Sequence, residues 1–136
     1  MTQAVHIENQ FPQELTLKGA NYNETKDLCL KELSLFIERD IYHYFKRYEY
    51  LEPKCSISIL RKNKVDQIRL SVSINQTDAI PLILCGLEKI LWAFNQQTLV
   101  QRNGSMVPLQ PRFTYTLQVY DVNQGQEFFF DPNASL

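Results

Sequence analysis

The chain has 136 residues, 44% hydrophobic and 21% charged, and its 14 basic and 15 acidic side chains leave a formal charge of −1. That length suits one domain, and that apolar fraction excludes a disordered chain. The four glycines are not spaced as GxGxxG or GxxxxGK[ST], which excludes the common phosphate-cradling loops. No apolar run reaches the roughly 18 residues that a membrane-spanning helix needs.

Residues 1–20 read as an N-terminal arm, with weak alternation over 4–8 and 14–18 that predicts short strands around Phe11-Pro12. The arm carries no basic stretch followed by an apolar one, so a cytoplasmic location is expected. Asn23, Glu24, Thr25 and Asp27 supply capping chemistry for a helix predicted over 25–51. Leu30, Leu33, Ile37, Ile41, Tyr44, Tyr48 and Leu51 recur along it at spacings of three and four, and Pro53 closes it.

A hairpin is predicted over 55–75. Ile57 and Ile59, then Ile68, Leu70, Val72 and Ile74, alternate with Ser56, Ser58, Arg69, Ser71 and Ser73, and the turn lies at Arg61–Lys64. Asp78 is expected to cap a second helix over 78–98, with Pro81 in its first turn and a stripe of Ile80, Ile83, Leu84, Leu87, Leu91 and Phe94. Residues 101–111 read as a loop, and 112–131 as a second hairpin turning at Asn123–Gly125. The order helix–hairpin–helix–hairpin predicts a single α+β domain over 1–136. Its sheet would be mainly antiparallel and four-stranded, with both helices on one apolar face.

Cys29, Cys55 and Cys85 stand in apolar contexts without a CxxC pair and are expected to be buried and reduced. Catalytic signatures are thin. His43 is flanked at helical spacing by Arg39 and Arg47, which repel a metal, and no serine sits in a nucleophile turn. No cofactor or metal site is expected. Two carboxylates from distant segments would leave no local signature, so an enzyme or small-ligand domain with a pocket invisible in sequence stays as the third reading.

Surplus apolar surface carries the first reading. Leu28, Leu35 and Tyr42 follow at intervals of seven on the side of the first helix away from its stripe, Phe36 broadens that surface, and Trp92 lies off the stripe of the second. These five residues form the expected partner-binding set for a non-enzymatic interaction or adaptor module. A homodimer through the first helix is the simplest arrangement.

The runner-up is nucleic-acid binding by the basic and aromatic region 42–69. Residues 39–69 hold eight basic against four acidic side chains, a balance of +4. Lys46, Arg47, Arg61, Lys62, Lys64 and Arg69 are its candidate phosphate contacts. A pI near 6.1 for the whole chain gives no general attraction for polyanions.

Overall fold

A computed structural model describes residues 13–62 and 64–132, and of Lys62 the backbone alone. The expected strands at 4–8 lie outside these residues. In chain order the elements are β1 (Glu14–Lys18), α1 (Tyr22–Thr25), α2 (Leu30–Phe45), a 3-10 segment (Lys46–Leu51), β2 (Lys54–Lys62) and β3 (Val65–Ile74). There follow a 3-10 turn (Thr77–Ala79), α3 (Ile80–Ala93), β4 (Gln96–Arg102), β5 (Ser105–Pro108), β6 (Thr114–Asp121) and β7 (Glu127–Phe130). The fold is α+β with two sheets, one of four strands in the order β2-β3-β6-β7 and one of three in the order β1-β4-β5.

Both expected hairpins form. β2 pairs antiparallel with β3 and β6 with β7, and the two hairpins join through a parallel β3–β6 pair. Alternation decides what each face meets. Ile68, Leu70, Val72 and Ile74 of β3, with Leu117 and Val119 of β6, turn to the helices. There they join Leu33, Ile37 and Ile41 of α2 and Ile83, Leu87 and Leu91 of α3 in one buried core. Removing each such side chain from water is worth roughly 1.5–3 kcal/mol, which fixes the register of both hairpins.

Five sequence expectations are corrected. The helix expected over 25–51 is three pieces. Cys29 is extended (φ −69°, ψ 163°) at the start of α2, and there the Arg112 guanidinium donates to the carbonyls of Thr25 and Leu28. At the other end Tyr48 leaves the helical region and Glu52 is left-handed (φ 49°) before Pro53, whose ring disfavours a helical residue ahead of it.

Asp78 makes no capping bond, and α3 begins only at Ile80 with Pro81 in its first turn. The same helix stops at Ala93 and does not reach 98, since buried Asn95 turns the chain. Its Oδ1 accepts from the N–H groups of Gln96 and Phe113, and its Nδ2 donates to the Phe113 carbonyl.

The stretch 101–111 is no loop through most of its length. Asn103 (φ 52°) and Gly104 (φ 78°) form the two-residue turn of a β4–β5 hairpin, and β4 also pairs with β1. The cysteines, expected to be buried, are all exposed and free.

Candidate interaction site

The outer face of α2 and the outer edge of the four-stranded sheet meet in a groove of about 630 Å³. α2 contributes Leu35, Glu38, Arg39 and Tyr42, and the incoming strand contributes Pro53, Cys55 and Ile57. Leu35 is 64% exposed and Tyr42 63%, so two large apolar side chains stand open beside a strand that has no neighbour on that edge among the described residues. The Lys46 ammonium lies 4.8 Å over the Tyr42 ring and the Arg39 guanidinium 5.0 Å over that of Phe36, which fixes both aromatics by cation–π contact.

Cys55 keeps accessible surface in this groove, yet the protein atoms around its sulfur desolvate it. Its thiol is pushed up to about 12 by that burial, with the Glu38 charge adding to the shift. A thiol so held is a poor nucleophile at neutral pH.

A second hollow, of about 400 Å³, lies on the sheet face away from the helices. Ser56, Ser58, Arg69, Ser71 and Gln118 line it. Ser71 Oγ is 3.3 Å from Gln118 Oε1, and Arg69 Nε donates to Gln67 Oε1 at 3.4 Å, so this polar face is laced by its own side chains. The sequence expectation that these serines and Arg69 form an open face agrees with the register, although Ser73 of the same row is buried.

The partner-binding set does not converge as a whole. Leu35 and Tyr42 share the groove. Leu28 precedes α2, is half-buried, and lines a different hollow with Arg61, Asp66 and Arg112. Phe36 (37% exposed) belongs to α2 but not to the groove lining, and Trp92 (38%) sits near the end of α3. Pro53, Cys55 and Ile57 were not in the set. The apolar alternation at Ile57 and Ile59 was the signal for them, but strand order, which makes β2 an edge, is not written in local pattern.

The basic residues disperse too. Lys46 and Arg47 open the 3-10 segment, Arg61 lies in the hollow beside Leu28, Lys64 occupies the β2–β3 turn, and Arg69 is on the open sheet face. The Lys62 side chain lies outside the described residues. Arg61 and Arg69 thus line different hollows, and the described cations are spread over four elements of the fold.

Among the described residues no group of three or more His, Cys, Asp and Glu side chains could hold a metal ion, and no helix is long and apolar enough to cross a membrane. Tyr44 and Tyr115 are pushed up to about 12. In both burial is the main cause, helped by Tyr48 and Cys85 for the first and by the Glu88 carboxylate for the second. These phenols are anchors: Tyr44 donates to the Leu82 carbonyl, joining α2 to α3, and Tyr115 lies 3.3 Å from a Glu88 carboxylate oxygen. Comparison of the chain with known protein families, with curated proteins and with solved structures finds no match.

Proposed function

We propose that this protein is a non-enzymatic binding module that acts by self-association, a second copy of the chain docking on α2 and β2. One observation carries the reading: the exposed side chains of Leu35 and Tyr42 border the same groove as the edge of β2 that no described strand pairs with. An apolar helix face and an open strand edge are each costly to leave in water, and a single partner can cover both. Burying Leu35 alone would be worth roughly 1.5–3 kcal/mol. A cytoplasmic location accompanies this reading, supported by three free, accessible cysteines of a kind that a reducing compartment preserves.

Light scattering at micromolar concentration tests it. The expected mass is twice the 16.0 kDa of one chain, falling to one chain in a Leu35→Glu, Tyr42→Glu double variant that keeps its circular dichroism. A wild-type chain that stays single across the concentration range would overturn the proposal.

A further inference from the structure

The manner in which two copies meet follows from the pattern of the same surface, and it rests on the self-association proposed above. We infer that two copies pair β2 against β2, antiparallel about Ile57. The two four-stranded sheets then run on as one sheet, and the α2 helices cross the same two-fold axis with Glu38 of each copy facing Arg39 of the other.

The edges of the two sheets differ in how they discourage pairing. β7 is four residues long and runs into Asp131-Pro132, β5 has four residues and ends at Pro108, and β1 has five with a charge at each end, Glu14 and Lys18. Short length, proline and charge are the usual devices that blunt an edge. β2 has nine residues, and its middle, Cys55–Leu60, contains neither a charge nor a proline. Among the described residues it is the edge left open for a neighbour.

A two-fold axis through an antiparallel pair makes residues equidistant from the centre into neighbours. With Ile57 at the centre, Cys55 lies beside Ile59 on the helix side and Ser56 beside Ser58 on the open side. Like chemistry meets like at these positions, and the outer pair sets Lys54 beside Leu60, whose side chain the Lys54 methylenes can cover. Moving the centre to Ser58 sets Lys54 against Lys62, two cations, and leaves Leu60 against Ser56. Moving it to Ser56 leaves only 54–58 to pair before Pro53, which has no N–H to give.

α2 carries the same symmetry. About the midpoint between Glu38 and Arg39, Leu35 mirrors Tyr42 and the two charges mirror each other with opposite sign. An antiparallel helix pair so centred sets apolar on apolar and acid on base, with the like charges Lys31 and Lys46 at the rim. In its own chain Arg39 stacks over the Phe36 ring (5.0 Å) and has a long, exposed contact to Asp40 (3.8 Å), two weak contacts that it exchanges for the Glu38 carboxylate of the other copy. Glu38, Arg39, Cys55 and Ile57 all line one groove, so the symmetry centres of helix and strand fall at one place.

Charge reversal reads this register directly. Glu38→Arg or Arg39→Glu alone is expected to raise the dimer dissociation constant about tenfold or more, and the two changes in one chain to restore it to within about threefold. Independently, an Ile57→Cys chain with its three native cysteines changed to serine should cross-link to itself on mild oxidation. Paired Cα atoms about 4.5–5.5 Å apart lie within disulfide reach. A Leu60→Cys chain in the same background should not cross-link. Three results together would overturn the register and leave self-association standing: single reversals without effect, no cross-link at position 57, and a dimer that still dissolves on changing Leu35 and Tyr42. A wild-type chain that is single at all concentrations would remove both.

Discussion

The two sheets of this molecule are built from similar strands and held in place by different physics. Among the described residues every buried hydrophobic side chain belongs to the four-stranded sheet, the helices or the segments that join them, and none belongs to β1, β4 or β5. Leu15 of β1 is 40% exposed, Leu17 44% and Met106 of β5 40% on one face, and Glu14, Thr16 and Lys18 are exposed on the other, so the small sheet keeps both faces wet. Its strands hold by their ladders and by the joint to the rest. At that joint the Gly19 N–H donates to the Asn95 carbonyl at 2.9 Å and the Asn21 N–H to the Ala93 carbonyl at 2.7 Å. Gly19 lies so close to the carbonyls of Trp92 and Ala93 that a Cβ there would overlap them. A sheet with one covered face owes its stability to burial; a sheet with none owes it to its attachment.

The sharpest way to break this comparison is to cut equal pieces from each side. Leu117, 0% exposed in β6, should cost about 2–5 kcal/mol on change to alanine, through lost burial and the cavity left behind. Leu99→Ala in β4, a half-buried position, should cost about 1 kcal/mol or less. Denaturant melts of both variants measure this. Equal losses would mean that the small sheet has a core of its own.

Next in size is the joint. Arg112 donates to Thr25 Oγ1 at 2.9 Å and to the Phe94 carbonyl at 3.0 Å, bonds the Thr25 carbonyl as well, and lies 5.4 Å over the Tyr22 ring. Burial lowers its pKa, but a guanidinium stays charged at any ordinary pH. Arg112→Ala removes several charge-assisted bonds and leaves carbonyls without partners, at a cost of about 2 kcal/mol. Hydrogen exchange should then show the β1 and β4 amides losing protection well before those of β3 and β6. Uniform loss across both sheets would show that the joint and the core unfold as one unit.

How far the sequence foretold these two regions follows the same divide. Strict alternation in 68–74 and 113–119 and the helical stripes of Leu33, Ile37, Ile41 and of Ile83, Leu87, Leu91 announced the four-stranded sheet and its helices, because burial writes period into sequence. The small sheet buries no row of side chains; weak alternation over 14–18 marks β1, but β4 and β5 carry no such period. Its one strong signal was Asn103-Gly104, a dipeptide that tolerates two successive positive φ angles, and it was outweighed by the prolines at 108 and 111. Of the interaction groove, Leu35 and Tyr42 were legible as apolar residues off the stripe. The β2 side was not, since being an edge depends on β6 returning to the other side of β3 from far along the chain. Leu28 kept the interval of seven but not the helix, because Arg112, more than 80 residues later, takes the carbonyls that a longer helix would use.

The smallest expected effect concerns what polar bonding adds to the well-buried side. Asp121 ends β6 and is 1% exposed. Its Oδ2 accepts from the Thr77 hydroxyl at 2.7 Å, and its Oδ1 accepts from the N–H groups of Asn123 at 2.7 Å and Gln124 at 3.4 Å. The carboxylate thereby ties the turn before α3 to the β6–β7 turn. The Thr77 bond is the main cause of its lowered pKa, with the backbone bonds adding and burial opposing. In the unfolded chain the group titrates near its ordinary value of about 3.9, so its contribution is whole above that pH and is lost as pH falls through the lower native value. Acid should therefore loosen this end of the four-stranded sheet, with β7 amides gaining exchange while the β1–β4 ladder, which holds no such carboxylate, keeps its pattern. Asp121→Asn should lower stability at pH 7 and flatten its dependence between about pH 4 and the acid limit. An unchanged acid slope in that variant would show that another carboxylate governs the acid response, and would leave burial as the whole difference between the two sheets.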